Sequence, residues 1–249
     1  MKISIITAVY NREDTIERAL LSLKLQTYPD IEGIVVDGNS SDTSLKIIKS
    51  LQLNKLKIIS EPDDGLYDAL NKGLSFVTGD IVGFLHSDDI FYDNNVLSVI
   101  ASIFEDDSID VVYGDSVFFT GCKTENYVRR YKSGILSKSR LSWGWMPAHP
   151  AMFIRKRVYE KIGNFKTTYL IAADYEFLCR MMSALDVNIV YYPYDLMKMQ
   201  TGGASAGGLK NTILLNREVL RACRENGIYS NLVMLLSKYP IKLLQFLVR

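Results

Sequence analysis

Carboxylates crowd the ends of short β-prone runs in the front part of this chain. Val35-Val36 runs into Asp37-Gly38-Asn39-Ser40-Ser41-Asp42, and Lys57-Ile58-Ile59 leads through Ser60-Glu61-Pro62 to Asp63-Asp64-Gly65. Ile81-Val82-Gly83-Phe84-Leu85 ends in His86-Ser87-Asp88-Asp89. In open α/β sheets ligands bind beyond the carboxyl ends of the strands, so acids from three strands converge on one edge. Like charges gathered there repel and are costly to desolvate. That is a poor source of stability but a good setting for a cation and for hydrogen-bond donors. Turn chemistry explains part of the pattern: Asp42 suits a helix cap, and Asp63-Asp64-Gly65 reads equally well as a turn. Asp37, directly after an apolar strand, and the adjacent pair Asp88-Asp89 are the candidates for chemistry, the pair as ligands of a divalent metal.

Neither a Gly-rich dinucleotide fingerprint nor a GxxxxGK loop follows the first strand. A nucleotide bound at this edge therefore needs its diphosphate neutralised in another way. A divalent ion held by Asp88 or Asp89 supplies that charge and leaves positions for phosphate oxygens and water.

The elements that must hold these residues follow from hydrophobic periodicity. Ile3 to Val9 is a continuous apolar run, as a strand buried on both faces requires. Further strands are predicted over 33–36, 56–59, 81–85 and 111–113, with helices over 15–25, 44–51, 66–77 and 96–104 between them. This alternation predicts an α/β fold with a mostly parallel sheet flanked by helices. Past Gly114 the pattern turns irregular or antiparallel; helices are expected over 155–161, 174–184 and 209–225 and a strand over 189–192. The reading is one domain over 1–226, with a nucleotide-binding half (1–114) and an acceptor-facing half (115–226), followed by a tail over 227–249.

Composition narrows the class. Lys plus Arg number 29 against 28 Asp plus Glu, a balance that argues against a nucleic-acid partner. Cys122, Cys179 and Cys223 are odd in number and far apart, which suits a reducing compartment and offers no zinc spacing. No signal segment or spanning stretch is apparent, so a cytoplasmic protein with at most peripheral membrane contact is expected.

Four separated segments carry a family resemblance: Ser4-Ile5-Ile6-Thr7-Ala8-Val9-Tyr10-Asn11, Val35 to Asp42, Ser60 to Gly73, and His86-Ser87-Asp88-Asp89. In this order they resemble family 2 glycosyltransferases, over roughly residues 1 to 210, and especially members that build bacterial O-antigen and capsule polysaccharides. The resemblance implies a GT-A fold, a nucleotide-sugar donor, Mn2+ or Mg2+ and inversion at the anomeric carbon. By it, Thr7, Tyr10, Asn11 and Asp37 surround base and ribose, with Asp64 in the same pocket. His86 stands where the family's metal motif has its first acid; Asp88 then contacts ribose or metal and Asp89 carries much of the metal binding. The family's catalytic base matches Asp174 in Ala172-Ala173-Asp174-Tyr175-Glu176-Phe177, with Glu176 as fallback; Asp174 also suits a helix N-cap. Trp143-Gly144-Trp145-Met146-Pro147-Ala148-His149-Pro150 resembles the acceptor-side loop, which gives acceptor-binding roles to Trp143, Trp145 and His149, with core packing as the alternative for the rings.

Two more segments bear on partners. The small-residue run from Gly202 to Gly208 reads as a flap that closes over the donor, or as a flexible connector. The tail from Ile228 to Arg249 has Lys238, Lys242 and Arg249 as its charges and Pro240 as a break. It suits the headgroup region of an anionic membrane, or packing on the domain. The expected enzyme transfers a hexose, from a UDP-sugar, to an undecaprenyl-diphosphate-linked saccharide at the inner face of the cytoplasmic membrane. The rival is a catalytically silent GT-A scaffold that binds nucleotide or glycan. A nucleotidyltransferase lacks support, since its Gly-rich, Arg- and Lys-containing N-terminal loop is absent.

Overall fold

The computed structural model describes residues 1–121, 124–202 and 208–237. Strand β1 (Ile3–Val9) lies between β2 (Ile31–Asp37) and β4 (Ile81–Phe84), parallel to both, and β3 (Leu56–Ser60) continues the parallel sheet beyond β2. The crossovers are helices α1 (Ile16–Lys24), α2 (Ser44–Ser50) and α3 (Leu66–Ser75). In α1, Ile16, Ala19, Leu20 and Leu23 recur at helical spacing and are buried, so burial of one stripe fixes how the helix lies. Ile5 and Ile6, neighbours on β1, face opposite cores, as the two-residue period of a strand requires.

Helix α3 packs closest to the sheet at Gly73. A Cβ there would stand 2.5 Å from Ile6 Cγ2, so only a bare backbone lets α3 settle on β1. Gly73→Val is expected to destabilise the fold by about 2 kcal/mol, seen as a lower denaturant midpoint with an unchanged slope.

The back half reverses the sheet's sense. Strand β8 (Met152–Arg155) runs antiparallel between β4 and β6 (Val111–Phe119). The sequence predicts no strand at 152–155 and starts a helix at 155; helix α6 (Lys156–Ile162) begins one residue later. A short apolar run buried on both faces shows neither period, and its neighbours in space are what make it a strand. The two-residue β5 (Ile90–Phe91) pairs with β9 (Ile189–Gln200) and was also unforeseen. Among the described residues the sheet order is β3-β2-β1-β4-β8-β6-β9-β5, with β7 (Tyr127–Tyr131) added to β6.

Both β6 and β9 run well past the short strands expected at 111–113 and 189–192. Polar residues break the apolar pattern there but find partners: Asp115 accepts from Tyr191 Oη (2.8 Å) and Ser133 N (2.8 Å), and Arg130 pairs with Asp195 at 2.9 Å. The register slips between Tyr113 and Asp115, opposite Pro193 of β9, an irregularity that accommodates a residue without an N–H.

Helices α4 (Val96–Ile103), α5 (Lys138–Ser142), α7 (Ala173–Ala184), α8 (Gly208–Glu225) and α9 (Leu232–Leu236) complete the described fold. None of the described helices is long and apolar enough to cross a membrane. Residues 203–207 of the small-residue run, and the tail from Lys238 with Pro240, Lys242 and Arg249, lie outside the described residues.

Candidate active site

A cleft of about 580 Å³ opens along the carboxyl ends of β1 and β4 and is closed on its far side by β6, β7 and β9. Its near wall carries Tyr10, 60% exposed just after β1, and Asp63 from the β3–α3 loop. Gly38 makes room for that carboxylate: a Cβ there would meet Asp63 Oδ2 at 2.3 Å. Gly65, at φ +108°, turns the chain so that its N–H donates to Asp63 Oδ1 at 3.0 Å. Asp63 therefore faces the cleft, while Asp64 is exposed outside its lining. The signal in the sequence was Gly38, a missing side chain across from the Asp63-Asp64 turn.

Asp37 stands behind this wall. Fully buried, it accepts from Ser60 Oγ at 2.7 Å and from Ser40 N at 3.3 Å. Asn11 stitches the same loops, with Oδ1 accepting from Ser41 N (2.9 Å) and its own N–H donating to Ser40 Oγ (2.9 Å). Thr7 is buried, its Oγ1 without a hydrogen-bond partner among the described residues. These three residues shape the loops around Tyr10 and do not line the cleft.

At the centre, after β4, sit His86, Ser87, Asp88 and Asp89, all in the lining. Asp89 Oδ1 accepts from Gln200 N at 2.9 Å, whereas its Oδ2 is buried and unpartnered among the described residues. Burial, reinforced by the negative charge of Asp88, holds the Asp89 carboxyl well above the ordinary range. The Asp88 side chain is half-buried, and no hydrogen bond or ion pair engages it among the described residues. Arg18 anchors the loop from behind, donating to Asp88 O at 3.1 Å and to Gln200 Oε1. Two adjacent carboxylates, one free and one with an orphaned oxygen, fit a divalent cation. Among the described residues no cluster of three or more His, Cys, Asp or Glu could hold a metal. A cation here would therefore complete its shell with phosphate oxygens and water.

His149 closes the cleft beside this loop. Its ring stacks on Phe84 at 4.6 Å and stands 5.9 Å from His86, with Nε2 buried and unpartnered among the described residues. Burial, with the neighbouring His86, pushes its pKa down to about 3, so the imidazole is neutral near pH 7.

The cleft is also lined by Asp174, in the first turn of α7. Its Oδ1 accepts from Tyr175 N at 2.8 Å and Tyr67 Oη at 3.0 Å, which leaves Oδ2 without a bonded partner among the described residues. Burial pushes its pKa up to about 6 against the lowering effect of those bonds. The loop before Asp174 is held by Glu218 of α8, whose carboxylate accepts from Leu170 N (2.7 Å), Ile171 N (2.9 Å) and Ala172 N (2.9 Å). Neither Tyr67 nor Glu218 was singled out in the sequence, because each acts across more than forty residues of chain. Glu218→Ala orphans three donors at once and is expected to cost about 3 kcal/mol of stability and to lower turnover. Denaturant unfolding and kcat at matched folded fraction check the two effects.

Glu176, the fallback base, is fully buried and committed to Lys166 (2.8 Å) and Arg180 (3.1 Å), away from the cleft. Trp143 and Trp145 also lie outside the lining: Trp143 is 43% exposed at the end of α5, and Trp145 has the Arg140 guanidinium 5.8 Å above its ring. From the same loop, Met146, Pro147, Ala148 and His149 reach the cleft.

The family model described as Glycosyl transferase family 2 matches residues 4–163, more than half of the chain. The chain belongs to that family. This family 2 glycosyltransferase is 31% identical over 222 residues to a PGL/p-HBAD biosynthesis glycosyltransferase of Mycobacterium tuberculosis, covering 88% of this chain and 82% of the relative. Among solved structures it is similar to S. aureus TarS 1-349, with a TM-score of 0.67 at 20% identity over 89% of this chain. It is also similar to the mannosyltransferase PcManGT from Pyrobaculum calidifontis in complex with GDP-Man and Mn2+, with a TM-score of 0.67 at 17% identity over 92% of this chain. The chain spans 65% of each of those two solved chains. These likenesses show a GT-A fold. The family match covers Tyr10, Asp63 and the Asp88-Asp89 pair but ends before Asp174, whose place in this glycosyltransferase rests on the cleft geometry.

Proposed function

We propose that this glycosyltransferase inverts the anomeric centre of a nucleotide-activated hexose, a UDP-sugar, with Mn2+ or Mg2+ as cofactor. Its acceptor is a lipid-linked saccharide, on undecaprenyl diphosphate, in O-antigen or capsule synthesis at the inner face of the cytoplasmic membrane. The observation that carries the reading is Asp174, a carboxylate of raised pKa with one free oxygen, in the same cleft as Asp88 and Asp89.

The roles follow from position. Tyr10 and Asp63 hold the nucleoside on the β1 side, with Thr7, Asn11 and Asp37 fixing their loops from behind. Asp88, with the Asp89 carboxyl beside it, would hold the cation, which when bound supplies positive charge to the departing diphosphate. An acceptor hydroxyl attacks the anomeric carbon from the face opposite the diphosphate. As the new C–O bond forms and the C–O bond to phosphate breaks, the hydroxyl proton passes to Asp174 Oδ2. Tyr67 and the Tyr175 N–H hold Oδ1 and so aim Oδ2. His149, neutral and apolar on the face stacked against Phe84, borders the reacting centre. His86 in the first acidic position kept a silent scaffold open; both carboxylates that follow it nevertheless reach the cleft.

The test is mass analysis, with NMR of the anomeric proton, of products from a panel of nucleotide-sugars with a synthetic lipid-diphosphate monosaccharide, run with Mn2+, Mg2+ or EDTA. A single-sugar product of inverted configuration, formed with metal and lost with EDTA, is expected. Metal-dependent UDP binding with no transfer from any donor would favour the scaffold instead.

A further inference from the structure

On the far wall, Arg129 of β7 lines the cleft half-buried, its guanidinium 4.4 Å from the Phe118 ring centroid and 5.9 Å from that of Tyr131. No hydrogen bond or carboxylate engages it among the described residues, and burial pulls its pKa below the ordinary value. Its neighbours are differently placed. Arg130 is bound to Asp195 at 2.9 Å, and Lys198 to Glu125 at 3.2 Å. A guanidinium laid on an aromatic face keeps its N–H fork free at the edge, and that fork matches the oxygens of a phosphate. A cation partly desolvated inside a cleft without a counter-charge is the arrangement expected of a site whose anion arrives with the ligand.

Sheet order says which ligand. The strands run β3-β2-β1-β4-β8-β6, and β7 takes up, past β8, the edge of β6 that faces β4, so in sheet order β4 and its Asp88-Asp89 loop still stand between Arg129 and the Tyr10 and Asp63 wall. The lining on this side is apolar, with Phe118, Tyr131, Met146 and Met199, and Leu170 at the rim is 68% exposed. We propose that Arg129, set on Phe118 and Tyr131, forms an anion subsite that grips the phosphate of an amphiphilic, phosphate-bearing acceptor. The inference rests on the reading that the acceptor is a lipid-diphosphate-linked saccharide, and it adds the group that selects that acceptor.

The experiment compares one saccharide carried on a short alkyl diphosphate with the same saccharide as a neutral alkyl glycoside, in wild type, Arg129→Lys and Arg129→Ala. Wild type is expected to prefer the diphosphate acceptor at least tenfold in kcat/KM, through KM. Arg129→Ala should erase that preference, leave the neutral acceptor's KM within twofold, and leave donor KM within twofold; Arg129→Lys should keep part of it. A rise in donor KM would assign the guanidinium to the donor diphosphate and overturn the proposal, as would an equal loss on both acceptors. Direct titration of decyl phosphate into the protein with UDP and Mn2+ separates this inference from the transfer reading. Binding to wild type that weakens tenfold or more in Arg129→Ala supports the subsite even if no donor in the panel is used. Equal binding to both proteins rejects it.

Discussion

Asp174→Asn is expected to lose transfer by about 1,000-fold or more in kcat while UDP affinity holds within twofold, because general-base removal and loss of a nearby charge act together in the transition state. The isostere keeps an oxygen for the bonds from Tyr67 and Tyr175 N, so the loop stays as it is. A pH profile adds a second readout. A carboxylate that acts as the proposed base works only when ionised, so wild-type kcat should rise with pH through about 6 and level off above it. Stability should move the other way. The folded pKa lies above the ordinary 3.8, so whatever this group contributes to folding is fully present below pH 4 and lost as pH rises through about 6. Asparagine never ionises; the variant should therefore match wild type below pH 4 and exceed it above pH 6 by on the order of 2 kcal/mol. Activity loss combined with a higher melting temperature at pH 7.5 is a pattern that mere misfolding does not produce. An Asp174→Asn protein with full acceptor-dependent turnover would remove the base from the mechanism.

Asp88→Asn is expected to lower kcat/KM by about 100-fold or more and to abolish the metal-dependent part of UDP binding. Its carboxylate is the free one on the cleft, whereas Asp89 already spends Oδ1 on Gln200 N. Asp89→Asn retains that bond and removes a buried charge, so a smaller loss of metal affinity is expected. Thermal shift reads this directly, since a ligand that binds only the folded protein raises its melting temperature. Wild type should gain stability from UDP with Mn2+ beyond UDP alone, Asp89→Asn should gain less, and Asp88→Asn nothing. If the order of the two variants reverses, Asp89 Oδ2, the orphaned oxygen, is the principal ligand.

Much of this was legible in the chain. Apolar runs ending in Asp37 and in Asp88-Asp89 located the strands and the edge at which they open, because strand periodicity and buried apolar length are local properties. The four ordered motifs pointed to the family that the comparisons then established. Less legible was the far half of the sheet. Strand β8 and the extensions of β6 and β9 exist because β4, β7 and polar partners such as Arg130 and Asp195 flank them, and no local pattern carries that information.

The sequence by itself determined an α/β fold with acids at its strand ends, since periodicity suffices for that, and the order of its motifs carried the resemblance to family 2 glycosyltransferases. Tertiary structure alone decided which acids meet. Room at Gly38 and the turn at Gly65 bring Asp63 to the cleft and leave Asp64 outside, while Asp37 is sealed behind by Ser40 and Ser60. Glu218 and Tyr67 aim Asp174, and a phenyl ring seats Arg129 with no counter-ion among the described residues. Side-chain direction and desolvation are set by neighbours distant along the chain, and those neighbours exist only once the sheet has closed.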